Sequence, residues 1–318
     1  MKKMTFILAC LMMAALSANA QMSKVILQHQ GNVTMYEPDD IQTAINDAQD
    51  GDTIFLNKGT FPGFTIDKKI SVIGAGDSKT NVGSSTLGIK IEIPYDKNNQ
   101  AQELTATMLE GLSINSTLSV TKAINGLKIK NCYFFNLSLD NDVKNVFMDR
   151  CKTKSSISLS RVVSLKAKNC IIPYLAGETS TSKVDDLEFI NCYFSYQNAI
   201  SNTKVKASFV NCWFKSVQYY SDNSTFYYCI VRTKITNDNE DYYRGSQTVS
   251  KGYDYDSDDD RRVVGQNYFG NDGTVVGPDG GTTPYTLTTT APKILDESSA
   301  VVSTDMKALN VNIKVTPN

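Results

Sequence analysis

The chain has 318 residues, with 32 Lys and Arg against 33 Asp and Glu and a formal charge of −1. That length allows a sizeable folded body and a smaller second unit. A balanced charge gives no concentrated basic surface, which sets nucleic-acid binding aside. Plentiful Asn, Ser, Thr, Asp and Gly point to strands and turns, not to a helical bundle.

The first twenty residues have the form of an export leader. Lys2 and Lys3 supply a basic start, Phe6 to Leu16 an apolar run, and Ala18-Asn19-Ala20 a small-x-small cleavage site before Gln21. Losing the two lysines with the leader takes the formal charge from −1 to −3. The run is too short to span a bilayer. Lipid modification of Cys10 is the alternative to cleavage and leaves a very short apolar region. The expected destination is therefore export: secreted, periplasmic or at the cell surface. No later segment reads as transmembrane, and the sequence does not set the oligomeric state. The expected domains are the leader at 1–20, a lead-in at 21–38, a repeat body with its cap at 39–240, and an irregular C-terminal unit at 241–318.

His29, the only histidine, lies in the lead-in. With one histidine no His-based triad or facial metal triad can be assembled. Asp39-Asp40 then reads as a cap for a helix whose Ile41, Ala44, Ile45 and Ala48 share one side. Gly51-Asp52 ends it. Thr53 to Leu56, Phe64 to Ile66 and Ile70 to Ile73 read as strands, the last closed by Gly74-Ala75-Gly76.

The middle of the chain repeats itself. Asn131-Cys132-Tyr133-Phe134 returns as Asn191-Cys192-Tyr193-Phe194 and, nearly, as Asn211-Cys212-Trp213-Phe214. Cys132, Cys151, Cys170, Cys192, Cys212 and Cys229 recur about every 19 residues. The positions five and three before each cysteine and two after it are mostly apolar. They read as one inward set whose alternation slips by one at the residue before the cysteine. That residue is Asn131, Asn169, Asn191 or Asn211 in four repeats, and Asn tolerates a left-handed backbone. A coil of this length cannot bury its own apolar face, so coils stack, strand on strand, roughly 4.8 Å apart. The expected fold is all-β: a right-handed parallel β-helix with an N-terminal α-helical cap. Leucine-rich repeats share the length but need a more regular leucine spacing.

For the six cysteines three states are open: an inward thiol ladder, disulfides between adjacent coils, and metal. The repeat spreads them along the stack, whereas a metal needs convergence. In-register neighbours also sit a little wide for a disulfide. The outward residues after the cysteines include Tyr133, Tyr193 and Trp213, which with Tyr219 and Tyr220 form a candidate glycan platform. Packing under another segment is the competing reading. Asp185-Asp186 and Asp149-Arg150 are faint catalytic candidates, and no catalytic residue is assigned. The run Asp254 to Asp260 offers Asp254, Asp256 and Asp258 as candidate calcium ligands. It departs from the EF-hand at Asp259 and Gly265, and a solvated acidic loop is the competing reading. No other cofactor is implied. Asn267 to Gly270 reads as a last degenerate coil, and Ala308 to Val315 alternates as a strand.

The run DIQTAINDAQDGDTIFLNKGTF through FTIDKKISVIGAG resembles the start of the pectate-lyase-like right-handed parallel β-helix superfamily, in which a capping helix leads into the first coil. The Asn positions beside the cysteines resemble that family's asparagine ladder. The resemblance covers roughly Asp39 to Arg232. The leader and the Gln21 start resemble exported proteins of gut Bacteroides-type bacteria. The resemblance implies the fold and little chemistry, since one scaffold serves lyases, hydrolases and adhesins. The expected function is an exported non-catalytic β-helix protein that binds polysaccharide. The alternatives are a polysaccharide lyase or glycoside hydrolase, and a structural or adhesive surface protein.

Overall fold

A computed structural model describes residues 23–76, 80–83, 88–92, 107–121, 124–139, 143–160, 162–177, 186–196, 206–216, 224–232 and 244–285. It also gives backbone strands at 293–294, 299–302, 309–312 and 315–316. The leader, Asp185, Tyr219 and Tyr220 lie outside the described residues.

The body is a right-handed parallel β-helix. Thr53–Leu56, Ser71–Gly74, Thr107–Glu110, Asn125–Lys130 and their successors stack in parallel through to Thr225–Tyr227 as most of an 11-stranded sheet. A second sheet runs from Gly59–Phe61 to Gln247–Thr248. The long strands Ser113–Val120 and Tyr133–Leu139 turn from it onto a third face, continued by Ser156–Leu159 and Tyr174–Gly177.

The bend between the first two sheets explains the recurring Asn-Cys. Asn131, Arg150, Asn169, Asn191, Asn211 and Tyr228 all sit at φ between 49° and 53°. This is the left-handed region, which costs most residues about 1–2 kcal/mol and is easiest for Asn and Gly. After the bend the next peptide N–H points along the stack into the core. For Cys151 and Cys212 it donates to the sulfur of the following coil, Cys170 Sγ and Cys229 Sγ, both at 3.4 Å. Each thiol in turn donates to the carbonyl two residues earlier, as from Cys132 to Lys130 O at 3.1 Å and from Cys192 to Ile190 O at 3.3 Å. All six cysteines are buried and unbridged. Burial pushes the Cys170 and Cys212 thiols up. A small, soft side chain at this corner thus closes the core and satisfies a backbone donor.

The same bend occurs where no cysteine marks it. Gly111 (φ 65°) precedes Leu112, and Gly245 (φ 70°) precedes Ser246, whose Oγ accepts from Cys229 N–H at 3.1 Å. Parallel pairing of Ile230 with Gln247 and Val231 with Thr248 carries the stack past the expected boundary at residue 240.

Inside, aromatic rings line up coil on coil. Phe189, Phe209 and Phe226 stack at 5.2 and 5.0 Å, and Phe194 stacks on Phe214 at 4.8 Å. Edge contacts such as Phe194 to Phe209 at 5.4 Å knit the two columns together.

The N-terminal end is closed by α1, Ile41–Asp47, which buries Ile41, Ala44 and Ile45, with buried Ala48 just past its end. Asp40 occupies the N-cap position but makes no side-chain cap bond, because a 3₁₀ turn over Pro38–Asp40 leads into the helix. The helix is tied at its other end, where Lys68 Nζ donates to the carbonyls of Ile45 (3.1 Å) and Ala48 (2.8 Å). The hairpin Val25–His29 with Asn32–Tyr36 adds antiparallel strands to the first sheet. His29 Nδ1 lies 2.7 Å from Asp52 Oδ1, so the single histidine holds the corner after α1.

Two C-terminal expectations are corrected. The acidic run is not a loop: Asp258–Asn267 forms α2, with Ser257 Oγ accepting from Asp260 N–H at 3.3 Å. Three aspartates fill its first turn, where negative charge favours a helix. Asn267 to Gly270 is the end of that helix and a bridge from Phe269 to Val275, not a coil. Leu309–Asn312 pairs antiparallel with Ser299–Val302, and Val315–Thr316 with Lys293–Ile294. Among the described residues no helix is long and apolar enough to cross a membrane.

Candidate functional site

The outward column of the second sheet runs through Tyr133, Lys152, Ile171, Tyr193, Trp213 and Ile230 in register. The proposed platform needs this column open to solvent, and over its latter part it is not. Tyr193 is 1% and Trp213 2% exposed. Residues 249–285 lie across them as a strap. Val249, Tyr255, Val264 and Val276 join Ile171, Tyr193, Trp213 and Ile230 in a second apolar core outside the solenoid. An exposed Tyr193–Trp213 row is therefore corrected: outward in the strand does not mean exposed in the protein. Tyr133, two coils before Ile171, is half-buried, and burial raises its phenol pKa.

The strap is fastened by specific bonds. Trp213 Nε1 donates to Tyr253 O at 3.1 Å, and Tyr193 OH donates to Asp254 Oδ1 at 3.0 Å. Lys215 pairs with the other Asp254 oxygen. Two ladder asparagines serve the strap as well. Asn169 Nδ2 donates to Pro278 O (2.8 Å) and Gly280 O (2.7 Å), and Asn211 exchanges side-chain and backbone bonds with Asn271. Tyr255 OH donates to Asp279 at 2.8 Å, and Arg261 lies over the Tyr255 ring at 4.7 Å.

These contacts set the charges. Burial raises the Asp254 carboxyl, but Lys215 and the donors from Asp256 and Tyr193 outweigh it and hold its pKa below the usual carboxylate value. The Asp254 N–H, with Lys251, holds Asp260 low. Burial pushes the Tyr193 and Tyr255 phenols up, with carboxylates Asp254 and Asp279 adding to it. Burial, then the Tyr253 hydroxyl, pushes Tyr268 up to about 12.

The three candidate calcium ligands part company. Asp254 faces Tyr193 and Lys215, Asp256 lies 3.7 Å from Lys152, and Asp258 begins α2 with Arg261 at 3.7 Å. Among the described residues no three His, Cys, Asp or Glu side chains form a metal-holding group. Of the faint catalytic candidates, Asp149 is buried with Oδ2 accepting from Arg150 at 3.0 Å. Asp186 sits just before the strand Leu187–Ile190 at φ 49°, its carbonyl accepting from Leu165 N–H.

A different surface is open. At the corner between the second and third faces, Phe135 is 40% and Tyr196 56% exposed. Lys154 Nζ lies 5.3 Å above the Phe135 ring, and Tyr174 and Tyr196 approach to 5.3 Å at 38°. Next to Tyr196 a groove of about 710 Å³ opens. The solenoid supplies its Ser195, Tyr196, Lys215, Ser216 and Arg232, and the root of the strap supplies Ser250, Lys251 and Gly252. A Cβ on Gly252 would stand 2.3 Å from Lys215 O, so only glycine lets the strap root lie this close. Lys215 and Arg232 follow the paired strands Trp213–Phe214 and Ile230–Val231, on successive coils. The sequence reading missed this site, because residues 196, 215, 232 and 251 share no motif and meet only once the coils stack and the strap docks.

No protein-family model matches the chain. No curated protein and no solved structure matches it either. What the chain is similar to is therefore read from its architecture, a right-handed parallel β-solenoid with a helical cap.

Proposed function

We propose that the chain is an exported, non-catalytic β-solenoid that binds polysaccharide along the corner of Phe135, Tyr174 and Tyr196 and in the groove beside it. The observation that carries this reading is the exposed Tyr196, paired with Tyr174 and opening onto a groove. Flat aromatic faces receive the apolar side of a sugar ring, while nearby hydroxyls and cations bond its oxygens. Residues one coil apart recur at roughly 4.8 Å, so a linear chain lying along the axis meets a new contact at each coil. The described lining holds no carboxylate, whereas two-carboxylate glycoside hydrolysis needs an acid and a base on either side of the bond. That favours binding over hydrolysis at this groove.

The test is a glycan panel against the mature chain, with and without calcium, each hit assayed for product release. Binding without turnover that falls at least ten-fold in Tyr196→Ala supports the reading. Turnover favours the lyase or hydrolase alternative. Silence across the panel favours the structural or adhesive one.

A further inference from the structure

The groove carries three cations, and the solenoid and strap do not treat them alike. Lys215 is paired with Asp254, and Lys251 with Asp260 at 3.0 Å. Both partners belong to the strap and stand back from the groove lining. Arg232 is exposed, and among the described residues no carboxylate lies within ion-pair distance of it. Among the described residues the groove therefore keeps one uncompensated charge. It stands on the residue whose planar fork bonds two oxygens of one oxyanion at once. Hydroxyls of Ser195 and Ser250 line the same space and can donate to such an oxyanion. Tyr196 borders it, so one ligand can stack a ring and present a charge together.

Resting on the polysaccharide reading above, we propose that the groove selects an anionic sugar, one carrying a carboxylate or a sulfate ester, with Arg232 as its counter-charge. The site is composite. Gly252 and Lys251 bring strap to solenoid, so the selectivity exists only in the full, strapped chain. Lys251, balanced by Asp260, tunes the field and does not supply the main contact.

The experiment uses three polymers of one backbone, dextran, carboxymethyl-dextran and dextran sulfate, titrated against the full mature chain by calorimetry. The expected result is tighter binding of at least one charged polymer than of dextran, weakening with added salt. Arg232→Gln should lower that affinity about ten-fold or more, with an unchanged far-ultraviolet spectrum and unchanged Trp213 emission showing an intact fold. Preference for the carboxymethyl or the sulfate form tells the two anion sources apart, and either supports the proposal. Equal binding of neutral and charged polymers, or no effect of Arg232→Gln, overturns it. If dextran alone binds and Tyr196→Ala abolishes this, the anion inference falls while the glycan reading stands. If none of the three binds, the anion inference falls, and the wider panel decides the glycan reading by itself.

Discussion

The stacked coils and the strap laid across them bury apolar surface by different rules. In the stack every residue class has a recurring address: a left-handed bend, a buried thiol after it in six coils, then an inward side chain two residues on. Each coil repeats the contacts of the last, and the energy accumulates by nearest neighbours. The strap has no period. It covers Tyr193 and Trp213 once, with Val249, Tyr255, Val264 and Val276, and is pinned by bonds to Asn169, Asn211 and Lys215. Loss of one coil contact is shared among neighbours, whereas loss of one strap contact has no substitute. The difference teaches that the outward side of a repeat is not a surface until the rest of the chain has been placed.

The largest expected break in this contrast is Trp213→Ala. It empties the centre of the outer core and should cost about 3–5 kcal/mol in denaturant unfolding. The strap should become protease-sensitive before the coils do. Next is Asn169→Ala, which removes both strap bonds and puts a less tolerant residue at φ 50°; a loss of about 1–3 kcal/mol is expected by the same assay. Tyr193→Phe keeps the ring and deletes only the bond to Asp254, so about 0.5–1.5 kcal/mol should be lost.

Acid gives a graded version of the same test. Asp254 and Asp260 have folded-state pKa values below the ordinary 3.8. Each therefore contributes stability that is full above about pH 4–5, where it is charged in both states, and that is lost as pH falls through the lowered folded value. Trp213 emission should stay constant from neutral pH to about 5 and shift red only below about 4. Replacing Asp254 by Asn should flatten that transition. The smallest effect belongs to Asp256→Ala, whose ion pair with Lys152 spans 3.7 Å on the surface; a change within about 0.5 kcal/mol is expected.

Much of the stack could be read from the chain alone. Asn-Cys followed by an inward aromatic is a local signal, and neighbouring repeats reinforce it. Two bends escaped because glycine stood in the asparagine position, at Gly111 and Gly245, and because Leu112 and Ser246 replaced the cysteine. Allowing any residue at home in a left-handed backbone would have found both. α2 also left a trace: Ser257 followed by aspartates is a helix start, with the hydroxyl placed to accept from Asp260 N–H. For Trp213 the sequence leaves two readings open, an exposed platform and packing under another segment, and does not choose between them. Strand alternation says which way a side chain points, while its cover comes from Tyr255 and Val264 far along the chain. The groove was hidden for the same reason, since Arg232 faces Lys251 only through tertiary placement.

Trp213 is the only tryptophan in the chain, so one fluorescence measurement on the intact protein reads the strap directly. With Trp213 2% exposed beneath Tyr255, its emission should be blue-shifted and poorly quenched by acrylamide, becoming red-shifted and fully quenchable only on unfolding. A native protein whose tryptophan already emits and quenches like one in water would contradict the strap. It would return Tyr193 and Trp213 to the solvent as an open aromatic row.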